Sequence, residues 1–267
     1  MKILNTVAAM MVFVAGASNV SAQQSPAKCN IVFVGNSITY GANLKSREVE
    51  CPPYQAVKLL QEKGYAIRYA NCGHSGSTTV DFLPSAQKLF TKILQAADTL
   101  YDAKVGLIFS ITLGTNDSAI EGPTGAPVSA EDYKKNLQII IDSLHRKYPQ
   151  SIFVLHRPIW YSPNTYNSSK YLAEGLNRLQ TYTPALDGLV KAHPDYIFKG
   201  DRNAFAFFKK KPELYFTAEQ GNAGIFFLHP NALGAAQLGR FWAENLQPVI
   251  QALYRNSPRI PPARRVY

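Results

Sequence analysis

Four short stretches of the 267-residue chain hold side chains that could do chemistry together. Gly35-Asn36-Ser37 follows the apolar run IVFV, NCGHSGST spans 71–78, GTNDS spans 114–118, and LHPN spans 228–231. A serine hydroxyl is a weak nucleophile until a base takes its proton. The oxyanion formed when it attacks a carbonyl needs donors already in place. Ser37 supplies the hydroxyl, and His229, in FFLHPNALGA with Pro230 fixing the turn, supplies the base. Backbone N–H groups of Ser37 and Gly76 and the side-chain amide of Asn116 supply the donors, Gly76 because no Cβ blocks close approach. Gly73 competes with Gly76 for that role. A lone serine after a strand and a glycine is as readily a helix cap; the other three stretches favour a nucleophile.

These residues meet only if the intervening elements bring them together. IVFVG (31–35), AIRYAN (66–71), VGLIFSITLG (105–114), SIFVLHRP (151–158) and YIFKG (196–200) read as strands. Their near-continuous apolarity suits strands buried on both faces of a parallel sheet. Helical patterns fill the gaps at 53–63 and about 84–99. In EDYKKNLQIIIDSLHRKY, Tyr133, Leu137, Ile140, Ile141 and Leu144 share one face, with Ser129 as a start signal. A longer helix follows, with a kink or break expected at Pro184, and a last helix starts near Asn231. Segment 201–228 has no clear period. Five β-α repeats predict a three-layer α/β/α sandwich with right-handed crossovers.

Ligands of an open parallel sheet bind at the carboxyl ends of its strands. Three of the reactive stretches fall there, after the first three strands, as does HRPIWYSPN (156–164) after the fourth, and LHPN stands just before the last helix. His74 and His156 lie on the same rim and are candidate substrate contacts. So are Trp160 and Tyr161, in the polar segment IWYSPNTYNSSKY, because flat rings edged by Asn and Ser suit sugar faces. Cys51 and Cys72 fall near this rim and Cys29 at the far end, so Cys51–Cys72 is the expected disulfide. No cysteine spacing matches a metal site.

Residues 1–22 read as a secretory leader: Lys2, an apolar run, then Val20-Ser21-Ala22 before Gln23. The run is short for a membrane span, and no later segment is a candidate. The mature protein is expected to be exported, periplasmic or extracellular. The formal charge is +10, but the cations are scattered and form no stripe with interleaved aromatics, which argues against a nucleic-acid partner.

GNSIT, SG after the second strand, GTND after the third and LHPN before the last helix resemble the four blocks of the SGNH hydrolase family, also called GDSL esterases. They stand in the right order over nearly the whole chain. The resemblance implies a flavodoxin-like five-stranded sheet of order 2-1-3-4-5 and one such domain over 23–257, followed by a basic extended tail at 258–267. It also implies ester hydrolysis through an acyl-enzyme on Ser37, with His229 as base, Ser37, Gly76 and Asn116 as oxyanion hole, and no metal or organic cofactor. The nucleophile is not in G-x-S-x-G, since Thr39 stands two residues after Ser37, which separates it from the α/β-hydrolase elbow.

There are two departures from the family pattern. Asn36 replaces the usual Asp, and an amide can make the same turn bonds. Phe226 stands where the family places an Asp, three residues before the histidine. A backbone carbonyl orienting His229 is the first expectation, Glu219 the second, and a catalytically impaired protein the third. Similar secreted esterases are associated with glycan breakdown, which implies a small acyl ester, acetyl on a carbohydrate, as substrate. The alternatives are a lipid or thioester acylhydrolase, and a glycan-binding protein on a decayed scaffold.

Overall fold

Burial of Val-, Ile- and Phe-rich runs organises the chain. The computed structural model describes residues 27–256; the leader and the tail expected at 258–267 lie outside the described residues. β1 (Lys28–Gly35), β2 (Ala66–Asn71), β3 (Gly106–Thr112), β4 (Ile152–Leu155) and β5 (Ile197–Lys199) form one parallel sheet in the order β2-β1-β3-β4-β5. This is the order the sequence resemblance implies. β1, β3 and β4 are almost wholly buried, whereas β2, at an edge, is half-exposed.

The chain steps from β1 to β2 in one direction and from β1's other side onward to β5 in the opposite one. Right-handed crossovers therefore place helices on both faces. α1 (Ser37–Tyr40), α2 (Arg47–Glu50) and α3 (Pro52–Glu62) follow β1, and α4 (Lys88–Leu100) follows β2. α5 (Ala130–Lys147) and α6 (Leu172–Ala192) flank β4 and pack on each other. After β5 come α7 (Ala204–Lys210), α8 (Pro212–Tyr215), β6 (Phe216–Gly221), β7 (Gly224–Pro230) and α9 (Ala232–Asn256), and α9 packs on α3. Among the described residues no helix is long and apolar enough to cross a membrane.

α5 starts as its sequence predicts. Ser129 accepts from Asp132 N at 3.0 Å, with Glu131 and Asp132 in the first turn and His145, Arg146 and Lys147 in the last, which suits the helix dipole. Of the kink or break expected at Pro184, the break does not occur: α6 runs on as one helix through it. Leu179, Tyr182, Leu186 and Leu189 keep one buried face on both sides of it, and Tyr182 stacks on Tyr133 at 4.2 Å. Packing holds the helix where propensity opposes it.

The segment without a sequence period holds the larger surprise. It folds into two short helices and an antiparallel hairpin, β6–β7, apart from the main sheet.

The turn after β1 depends on Gly35. A Cβ there would lie 2.0 Å from Thr39 Oγ1 and 2.9 Å from Thr112 O. Gly35→Ala is therefore expected to cost about 1–3 kcal/mol, read as a lower urea midpoint at unchanged m-value.

Candidate active site

The site is assembled from three strand ends and the hairpin. Asn36 caps α1 by accepting from Ile38 N at 3.0 Å, so the amide makes the turn bond expected of it and Ser37 becomes the first helical residue. The turn after β2 is tied to that after β1: His74 N donates to Gly35 O at 3.0 Å, and Ser77 N and Oγ both donate to His74 O. The turn after β3 joins them, with Asn116 Nδ2 donating to Ser77 O at 2.8 Å.

The three N–H donors expected to serve an oxyanion keep a proton without an acceptor among the described residues. Neither the Ser37 N–H nor the Gly76 N–H has an acceptor among the described residues, and Asn116 Nδ2 spends only one of its two protons. The Gly73 N–H is consumed by Asn71 Oδ1 at 2.9 Å, which separates the two competing glycines. Gly76 has a backbone reason to be glycine. A Cβ there would meet nothing within 4 Å, but its φ of +77° is left-handed, a conformation costly to other residues.

Opposite these donors stands His229. Its Nε2 lies 3.0 Å from Ser37 Oγ, and its Nδ1 lies 2.9 Å from Glu219 Oε1. An ionised carboxylate only accepts, so Nδ1 carries the ring proton and Nε2 is left to accept from the serine hydroxyl. The backbone carbonyl that was the first expectation for orienting the ring is replaced by this carboxylate. Glu219 also accepts from the His229 backbone N–H at 3.2 Å, and its Oε2 accepts from Asn43 Nδ2 at 3.1 Å. Asn43 has a left-handed φ of 66°, which asparagine tolerates.

The hairpin register explains how the carboxylate arrives. Glu219 pairs directly with Phe226, the residue standing at the family's usual acid position. The acid has crossed to the facing strand. Strict alternation would then put Leu228 on the face of Glu219 and His229 on the other. Between the pairs Ala218–Phe227 and Phe216–Pro230, however, β6 has one residue and β7 has two. This bulge turns His229 back toward Glu219. Asn231 then starts α9, its Oδ1 accepting from Gly234 N at 2.9 Å.

Burial sets apart several of the residues expected on the rim. His156 is fully buried. It accepts from Asp201 N at Nδ1, so its Nε2–H faces Ser110 Oγ at 3.0 Å, and burial pushes its pKa down to about 3. Trp160 packs edge-on against Phe216, and Tyr161 is buried with its Oη 2.9 Å from Ser118 Oγ. All three side chains are packed into the interior rather than presented on the rim. His74 alone of these candidates is exposed on the rim. The Cys51–Cys72 disulfide is not formed, and all three cysteines are buried thiols. Cys51 Sγ accepts from Asn71 Nδ2, while Cys72 Sγ faces Lys92 O on another element, and burial raises the Cys72 pKa to about 11. Among the described residues no group of His, Cys, Asp and Glu side chains is placed to hold a metal. A cavity of about 360 Å³ lined by Tyr40, Arg47, Asn71 and Lys92 lies beside the site, but neither Ser37 nor His229 lines it.

The GDSL-like lipase/acylhydrolase family model matches residues 33–237, a span that includes Ser37, Gly76, Asn116 and His229. The chain belongs to that family. It is therefore a carboxylic ester hydrolase. No curated protein matches it by sequence. Several solved structures share its fold. A catalytic mutant of Axe2, an acetylxylan esterase from Geobacillus stearothermophilus, aligns at TM-score 0.58 and 18% identity over 81% of this chain and 93% of its own. A lipase/acylhydrolase from Enterococcus faecalis aligns at 0.56 and 17%, over 83% and 96%. A carbohydrate acetylesterase family member from Sinorhizobium meliloti aligns at 0.54 and 16%, over 85% and 99%.

One buried acid under this GDSL site should register in stability. Asp117, next to Asn116, is fully buried. Its Oδ1 accepts from Thr79 N and Oγ1, and its Oδ2 has no partner among the described residues. Burial raises its pKa to about 6. Below the unfolded value near 4 both states are protonated and nothing is lost. Between about 4 and about 6 only the unfolded state ionises, so stability falls, by about 3 kcal/mol in all, and the loss levels off above about 6. Asp117→Asn keeps the Thr79 bonds and removes the ionisation. Urea midpoints at pH 4 and pH 7.5 should show wild type losing ground to Asp117→Asn across that interval.

Proposed function

We propose that the protein is an exported serine esterase that removes small acyl groups, acetyl in particular, from carbohydrates. The observation that carries this reading is the hydrogen-bonded line Glu219–His229–Ser37, at 2.9 and 3.0 Å, together with N–H donors of Ser37, Gly76 and Asn116 that have no acceptor among the described residues.

The chemistry follows from that line. Ser37 Oγ attacks the ester carbonyl while His229 Nε2 takes its proton. Glu219 holds Nδ1–H and stabilises the imidazolium that forms. The Ser37 and Gly76 N–H groups and the Asn116 amide hold the oxyanion. Collapse breaks the bond to the leaving alcohol, which receives the proton from His229. Water, activated by the same imidazole, then attacks the acyl-enzyme and releases acid and free serine. A binding-only reading was motivated by the absent Asp, and Glu219 supplies a carboxylate in its stead.

The acetyl and carbohydrate preferences draw support from the names of two structural neighbours, an acetylxylan esterase and a carbohydrate acetylesterase family member. Export draws support from the leader pattern of residues 1–22.

The test is hydrolysis of nitrophenyl acetate by the mature protein. Wild type should turn over, and Ser37→Ala and His229→Ala should each fall to background. Glu219→Gln should lower kcat by about 10²–10⁴-fold. Acetate release from acetylated glycans, set against cleavage of nitrophenyl octanoate, checks the substrate class. No acetate from glycans with efficient cleavage of the long chain would replace the carbohydrate reading with a lipid acylhydrolase.

A further inference from the structure

Asn116 is gripped by two contacts of opposite kind. Tyr171 Oη donates to its Oδ1 at 2.7 Å, and its Nδ2 donates to Ser77 O at 2.8 Å. Together they allow one orientation of the amide. A backbone carbonyl only accepts, so the atom facing Ser77 O must be nitrogen. Flipping the amide would set two oxygens against each other there. With the ring of bonds closed this way, the second Nδ2 proton has no acceptor among the described residues, although Asn116 is only 3% exposed. A buried, unspent N–H in a turn tied through Ser77 and His74 to the turn that carries Ser37 suits a donor held for a charge that develops later.

Tyr171 is itself built in. It is 3% exposed, and burial pushes its phenol well above the ordinary tyrosine range, so it stays a donor. Tyr161 packs against its ring edge-on at 5.4 Å. The N–H groups of Tyr171 and Leu172 both donate to Thr165 O. Leu172 has a left-handed φ of 53°, an uncommon state for a branched side chain that the surroundings must impose. The start of α6 is bent where Tyr171 is aimed inward.

We infer that Tyr171 is a positioning residue of the oxyanion hole: its hydroxyl holds the Asn116 amide so that the second N–H is left for the oxyanion. A donor on the amide oxygen also draws electron density from the nitrogen and sharpens that N–H. The inference rests on the acyl-transfer reading proposed above for the same site.

The experiment is a double-mutant cycle. Tyr171→Phe should lower kcat on nitrophenyl acetate by about tenfold, with KM changed by less than about twofold. In an Asn116→Ala background the same change should do nothing further. Tyr182→Phe is the control. It loses an equally buried hydrogen bond, to Val128 O at 2.6 Å, and should lower the melting temperature while leaving kcat alone. Equal losses in both backgrounds, or full kcat in Tyr171→Phe, would overturn the inference.

A second readout does not need turnover. In ¹⁵N-edited NMR the two Asn116 Nδ2 protons should be distinct and slow to exchange in wild type, and should exchange faster in Tyr171→Phe. An unchanged amide signal overturns the positioning role. If wild type hydrolyses no ester, the acyl-transfer reading falls, and this signal still decides whether Tyr171 positions Asn116.

Discussion

The arrangement at Ser37 depends on a one-residue slip in the β6–β7 hairpin. Side chains alternate along a strand, so any odd shift exchanges the two faces. Without the extra residue in β7, Glu219 and His229 would point away from each other, whatever their types. With it, the imidazole meets both the carboxylate and the serine. The bulge also takes the His229 N–H out of the ladder, and Glu219 accepts it. One carboxylate therefore satisfies the irregular backbone and orients the ring that the irregularity aims.

The donor side is built on a different logic. Each of its turns belongs to a strand of the parallel sheet, and each is fastened to the next by hydrogen bonds: Gly35 to His74 and Thr39 to Asn71, then Ser77 to Asn116 and Thr79 to Asp117. These ties consume the carbonyls and leave the N–H groups of Ser37 and Gly76 and one proton of Asn116 unspent. Buried polar groups normally find partners. Gly76 is open to solvent, but Ser37 and Asn116 are buried, and their unspent donors suit a site whose partner is present only during reaction. Tyr171 extends this donor set outward from Asn116, and Glu219 and Asn43 extend the base side from His229.

Burial separates the residues around the site into different roles. His74 and His156 both follow strand ends, yet one faces solvent and the other is sealed beneath the sheet rim between Ser110 and Asp201. Trp160 and Tyr161 sit in a polar segment whose Asn and Ser residues suggest exposure, but their rings are drawn into the core. Hydrophobic area outweighs the polarity of neighbours in sequence, because a large ring gains more from leaving water than a short loop gains from staying in it.

The sequence by itself determined the sheet, its strand order through the family resemblance, the α5 cap and the identity of Ser37, Gly76, Asn116 and His229 as a set. These features are local: apolar runs, a capping serine, and turn residues next to strand ends. It could only rank Glu219 among several ways to orient His229, and it held no signal for Asn43 or Tyr171. Those depend on pairings between residues far apart in the chain, 219 with 229, 43 with 219, and 171 with 116. A hairpin register, a bulge and the direction of a buried hydroxyl are set by packing across the whole molecule. No local pattern encodes them, so only the tertiary structure decided which acid serves the histidine and what holds the amide.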